Sequence, residues 1–143
     1  MLKGIPSILS PELLKILMEM GHGDEIVIGD GNFPAASMAK RLVRCDGHNV
    51  PELLDAILSL FPLDSFVKAP VALMEVVDGS NAETPPIWST FQALVEKHEP
   101  AHNKIEYVER FAFYERAKSA YAIVATSESA LYANIILKKG VIA

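Results

Sequence analysis

Cysteine is nearly absent: 143 residues contain one, Cys45, so no internal disulfide can form and a reducing compartment suits the chain. Concentrated positive charge is missing too. The formal net charge is −5, and the only adjacent cations are Lys40-Arg41 and Lys138-Lys139. That argues against a nucleic-acid partner, which needs a dense basic surface. No uninterrupted apolar run approaches the ~20 residues of a spanning helix, so no membrane partner is expected. The opening Met1-Leu2-Lys3-Gly4-Ile5-Pro6 is too short and too broken for a signal peptide, and a soluble, cytoplasmic protein is expected. There is no Walker-type glycine loop and no Gly-x-Ser-x-Gly elbow, which removes the usual parts of nucleotide hydrolysis and serine-esterase chemistry. Repeats, low-complexity tracts and linkers are also lacking.

Half of the residues are hydrophobic, enough for a dense core with apolar surface left for contacts between copies. The length fits one domain. Ser10-Pro11-Glu12 opens a helix with a hydroxyl cap, a proline at the first position and an acid near the positive dipole end. Leu13, Leu14, Leu17, Met18 and Met20 give that helix its apolar face, and Gly21 is placed as its stop. A strand follows through Ile28, and a second is expected at Arg41–Arg44, ending in the turn Asp46-Gly47. Pro51-Glu52 starts a helix running to Phe61, and Val71–Val77 reads as a strand turning at Asp78–Asn81. Thr84-Pro85-Pro86 caps a helix ending near His98, Lys104–Val108 is a strand, and Arg110–Lys118 a helix. Tyr121–Thr126 and Asn134–Leu137 finish as strands. Strands apolar along their length, alternating with helices, imply a largely parallel sheet covered on both faces. The expected fold is α/β, a single-domain three-layer αβα sandwich spanning residues 1–143.

The most informative stretch is Gly21-His22-Gly23-Asp24-Glu25, followed by Ile26-Val27-Ile28-Gly29-Asp30-Gly31. It sets a titratable side chain beside glycine at each end of a short strand. An imidazole and a carboxylate next to open space suit proton transfer or a grip on hydroxyls. In open α/β sheets, ligands bind outside the carboxyl ends of strands. That rule points to Asp30, to Arg110, and to the segment Ser127–Asn134. Each has a plainer reading. His22 can be a helix-end residue favoured by the dipole, and Asp30 a turn residue. Arg110 and Tyr114 can form a solvated edge or a subunit contact, and Tyr132 and Asn134 can pack at an edge. Gly29-Asp30-Gly31 lacks the third glycine of a dinucleotide fingerprint and meets Pro34. Cys45 and His48 have only His98 and His102 to complete a zinc site, so a turn with one buried thiol is preferred and no metal is expected.

Taken together, several blocks resemble the D-ribose pyranase / L-fucose mutarotase family. They are Met20-Gly21-His22-Gly23-Asp24-Glu25, Asp30 with Phe33-Pro34, Arg110-Phe111-Ala112-Phe113-Tyr114-Glu115-Arg116-Ala117, and Tyr132-Ala133-Asn134-Ile135-Ile136-Leu137-Lys138-Lys139-Gly140-Val141. The resemblance is nearest the fucose branch, since the ribose branch commonly has histidine where Arg110 stands. Gly29 and Gly31 depart from the bulkier neighbours usual there. The resemblance implies that His22 is the proton donor. It also implies that Asp30, Arg110, Tyr132, Ala133 and Asn134 bind sugar, and that Asp30 could also orient the imidazole. It further implies ring-shaped homo-oligomers, often decamers, with sites at subunit contacts.

The implied reaction fits these residue types. Interconverting sugar anomers needs proton transfers but no oxidation, so neither nucleotide, metal nor other cofactor is required. A non-catalytic monosaccharide-binding or transport-accessory protein and a D-ribose pyranase are the alternatives.

Overall fold

Apolar strands alternate with capped helices, and in the computed structural model, which describes residues 1–77 and 83–143, they build a six-stranded sheet. In chain order the elements are α1 (Pro11–Glu19), β1 (Glu25–Gly29), α2 (Ala35–Met38), β2 (Leu42–Cys45), α3 (Val50–Leu58) and β3 (Val71–Met74). There follow α4 (Ile87–His98), β4 (Ile105–Val108), α5 (Arg110–Ser119), β5 (Ala122–Thr126) and β6 (Ile135–Lys138). The strand order is β2-β5-β1-β6-β3-β4. All neighbouring pairs are parallel except those of β6, which runs antiparallel to both β1 and β3. The expected turn at Asp78–Asn81 lies outside the described residues.

Both faces of the sheet are covered, as fully apolar strands require. Ile26, Ile28, Leu73, Val124, Ile135 and Leu137 pack with α1, α3 and α4. Their alternates Val27, Ala72, Ile123 and Ile136 pack with α2 and α5, giving the three layers. Each large aliphatic side chain buried this way contributes about 1.5–3 kcal/mol.

Local chemistry explains where the helices begin. The Ser10 hydroxyl accepts the Leu13 N–H at 3.1 Å with Pro11 in the first turn. Asn49 and Glu52 form a reciprocal capping box on α3. The Glu109 carboxylate accepts the N–H groups of Phe111 and Ala112, which starts α5 at Arg110. No side chain caps α4, so Thr84 does not play the expected part.

The end of α1 falls just before Gly21, as the sequence suggested, but by another device. The helix stops at Glu19 and Met18 faces solvent; the left-handed turn falls on Gly23 (φ 87°), not on Gly21. The Lys139 ammonium terminates the helix instead, donating to the Leu17 and Met20 carbonyls.

Beyond β6 the chain acts as a clamp. The Lys139 carbonyl accepts the Gly23 N–H, its N–H donates to Asp24, and Lys138 and Gly140 bond Asp64 and Pro62. Gly140 is required there: a Cβ would sit 2.5 Å from the Leu63 carbonyl oxygen and 2.9 Å from the Asp64 Cα, both backbone atoms that cannot step aside. Gly140→Ala is expected to destabilise the fold by about 1–3 kcal/mol. Urea denaturation at fixed protein concentration checks this, and an unchanged midpoint contradicts the clamp.

Candidate functional site

The carboxyl ends of the five parallel strands share one edge of the sheet, and antiparallel β6 brings its own start to that edge. Asp30, Arg110, Tyr132 and Asn134 accordingly meet in one cleft of about 310 Å³, walled on its apolar side by Phe33 and Leu131 among others. Asp30 leaves β1 and is 7% exposed; its backbone N–H donates to the Asn134 Oδ1 at 2.8 Å, and its own Oδ1 accepts the Asn32 N–H at 3.0 Å. Burial pushes the Asp30 carboxyl above the usual carboxylate range, and the N–H groups of Asn32 and Ala133 partly oppose that. Ala133, expected to bind sugar, is fully buried and does not line the cleft; its backbone N–H reaches the Asp30 carboxylate instead.

Close approach at this edge depends on the two glycines around Asp30. A Cβ on Gly29 would fall 2.8 Å from the Phe33 side chain, and one on Gly31 would fall 3.0 Å from the Glu128 carbonyl oxygen. A side chain at either position would have to move this turn.

Tyr132 is not in an extended conformation. It has a φ of 56°, the one left-handed non-glycine among the described residues. Such a conformation costs on the order of 1 kcal/mol and persists where surroundings hold it. The Trp88 indole N–H does so, donating to the Tyr132 carbonyl at 2.9 Å, while the Val77 N–H reaches the phenolic oxygen at 3.3 Å. Arg110 opens α5 with its guanidinium 4.6 Å from the Phe111 ring. Among the described residues its Nε is the one buried side-chain nitrogen or oxygen with no hydrogen-bond partner. A buried donor without an acceptor is costly, and a ligand oxygen would satisfy it.

His22 is not with them. It precedes β1 whereas Asp30 follows it, and at about 3.3 Å per residue the strand alone separates them by roughly 13 Å. Within one protomer Asp30 therefore does not orient the imidazole. Asp64 does: its Oδ1 lies 3.0 Å from the His22 Nε2 and accepts the Phe66 N–H at the same distance. The imidazole is 47% exposed, its carboxylate partner only 4%. Burial would raise the Asp64 carboxyl, but the bonds from Phe66 and His22 outweigh it and hold the group below its ordinary range. Its stabilising effect is thus present above the usual carboxylate pKa and lost as pH falls through the lowered folded value.

Around His22 lies an apolar groove of about 650 Å³ lined by Leu2, Met18 and Ile142 among others, and the exposed Phe66 ring sits 5.2 Å away. Sequence reasoning passed over Asp64. Asp64-Ser65-Phe66 carries a faint side-chain turn signal, but nothing local ties it to a histidine 42 positions earlier. Elsewhere, Cys45 is buried, His48 contacts Glu52, and His98 pairs with Asp55 at 2.7 Å.

Comparison with known proteins agrees along the whole chain. Residues 3–142 match the model of the RbsD / FucU transport protein family. The chain is 51% identical over 141 residues to an L-fucose mutarotase of Actinobacillus pleuropneumoniae, covering 99% of this chain and 97% of the relative. It is 48% identical over 147 residues to the fucose mutarotase of Homo sapiens, covering 99% and 95%. Among solved structures, the fucose mutarotase of Streptococcus pneumoniae in complex with L-fucose superposes with a TM-score of 0.94 at 58% identity, covering 99% of this chain and all of that one. Bacillus subtilis RbsD complexed with D-ribose shares the fold, with a TM-score of 0.73 at 24% identity over the full length of both chains. By sequence and by fold alike, the chain belongs to the RbsD / FucU family.

Proposed function

We propose that this protein is a cofactor-free mutarotase, an isomerase that interconverts the α and β anomers of a monosaccharide, with L-fucose as substrate. The observation that carries the reading is the half-exposed His22 imidazole held by a buried carboxylate, in a chain about half identical to fucose mutarotases. The sugar itself is taken from those relatives, one of which was solved with L-fucose bound.

Ring opening breaks the bond between C1 and the ring oxygen. A proton leaves the anomeric hydroxyl, another arrives at the ring oxygen, and the free aldehyde forms. Rotation about C1–C2 followed by closure reverses both transfers and yields the other anomer. Nothing is oxidised. An imidazole, with an ordinary pKa of about 6.5, can both take and give a proton near neutrality, a role that typically contributes 10²–10⁴-fold. His22 serves as that acid/base. Asp30 accepts from sugar hydroxyls, Arg110 donates to sugar oxygens through the nitrogen that otherwise lacks a partner, and Tyr132 with Asn134 completes the grip. Ala133 acts indirectly, its backbone N–H holding the Asp30 carboxylate.

Because His22 and the cleft occupy opposite edges of one sheet, the working site combines the imidazole of one protomer with the cleft of another. Exposed apolar side chains flank both halves: Met18, Phe66 and Ile142 near His22, Phe111 and Leu131 near the cleft. Such surface suits burial between copies. A homo-oligomeric ring, with the decamer as the form the family resemblance implies, brings the halves together. No helix among the described residues is long and apolar enough to cross a membrane, and we place the protein's action in the cytoplasm.

Saturation-transfer NMR on equilibrated L-fucose tests the activity directly, since only a catalyst accelerates anomer exchange; a non-catalytic binder leaves it unchanged. His22→Ala is expected to lose 10²–10⁴-fold of the accelerated rate while fold and oligomer persist. A wild-type rate in that variant refutes the assignment. The shared site has its own test. His22→Ala and Arg110→Ala, each inactive alone, are expected to regain activity when their subunits are exchanged in mixed oligomers. Mixtures that stay inactive contradict a site built from two protomers.

A further inference from the structure

Resting on the reading of the cleft as the sugar site, we propose that Trp88 is its positioning residue. Without touching sugar, the indole N–H locks the peptide unit between Tyr132 and Ala133, and so sets Tyr132 and Asp30 together. That one unit is gripped from both sides. Its carbonyl accepts the Trp88 Nε1–H at 2.9 Å, and its N–H, which belongs to Ala133, reaches the Asp30 carboxylate. The carbonyl and the N–H of a planar trans peptide point in opposite directions, so a turn of the plane breaks both bonds at once. Asn134, next in the chain, accepts the Asp30 backbone N–H at 2.8 Å. The indole thus holds from α4 a network that joins Tyr132, Asn134 and the end of β1.

The lock is needed because Tyr132 is held against its own preference. A side chain at φ 56° relaxes toward negative φ once released, which would swing both the carbonyl and the phenol away. The phenolic oxygen has a second restraint in the Val77 N–H, but at 3.3 Å that bond is longer than an ordinary N–H···O contact. The indole bond at 2.9 Å is the stronger of the two. Trp88 is itself well anchored. Its ring packs against the large core cluster and lies 5.1 Å from the Tyr107 ring on β4, and its backbone N–H donates to the Pro85 carbonyl at 3.1 Å. An indole N–H only donates and carries no charge, so the lock does not titrate. Trp88 does not line the cleft, and it therefore acts through Tyr132 and not by stacking on a sugar ring.

The chain has a single tryptophan, so its indole signals report this bond alone. In the wild-type protein the indole N–H is expected to exchange slowly with solvent, and its NMR resonance to move when L-fucose is added. Trp88→Phe keeps an aromatic ring in the packing and deletes the donor. Titration calorimetry with L-fucose is expected to show affinity weakened by about five- to tenfold. KM for anomer exchange should rise in parallel while kcat stays near its wild-type value, the mark of lost binding. A merely structural role would do the reverse, since fewer folded molecules lower the apparent kcat and leave KM in place. Wild-type affinity and KM in folded Trp88→Phe overturn the role of Trp88 alone. Should that variant fail to fold, the wild-type indole decides: a resonance that exchanges freely or ignores saturating L-fucose overturns the lock. Wild-type protein that binds no L-fucose overturns the sugar-site reading itself, and the Trp88 role with it.

Discussion

The antiparallel course of β6 between two parallel partners is the constraint on which the rest of this molecule depends. Its register is pinned on both sides, Ile136 lying opposite Val27 on β1 and Ala72 on β3. Because it runs against its neighbours, its first residues arrive where theirs finish and its last residues where theirs begin. Asn134 is thereby delivered to the Asp30 backbone, and Lys138–Gly140 to the loops bearing His22 and Asp64. A one-residue slip would turn Ile135 and Leu137 to the wrong face and break both ends at once.

Electrostatics differ between those ends. At the cleft, a buried carboxylate with a raised proton affinity shares space with a guanidinium whose Nε has no acceptor among the described residues, an arrangement that a ligand oxygen would complete. At the histidine end, a carboxylate held ionised by its hydrogen bonds carries a half-exposed imidazole. On the proposed function, the first end holds hydroxyls and the second exchanges protons.

Much of the fold was legible from residues alone. Ser10-Pro11, Pro51-Glu52 and the apolar runs around Ile28, Val71 and Ile123 signal their elements through capping and hydrophobic pattern, which act over a few residues. The position of β6 was not legible, since an apolar tetrapeptide carries no mark of direction or of the strands it separates. The end of α1 next to Gly21 was legible, but not the group that caps its carbonyls, because the Lys139 ammonium comes from the other end of the sequence. For the site, the rule about strand ends found Asp30, Arg110 and Asn134, all of which meet in one cleft. It could not say that His22, just before the same strand, would lie at the opposite end from them. Asp64 was invisible for a related reason: its partner is distant in sequence, and only a folded sheet brings the two together.

The roughly 13 Å of strand between His22 and Asp30 also bears on how such proteins diversify. On the function proposed above, preference for one carbohydrate over another would be written in side chains at one rim, while the machinery that shuttles hydrogen ions would be anchored at the opposite rim. Substitutions around Phe33 or Leu131 can therefore retune which hydroxyl pattern fits, leaving the histidine and its carboxylate untouched. Drift in selectivity and retention of chemistry become separable, and a lineage can change its diet without rebuilding its catalyst.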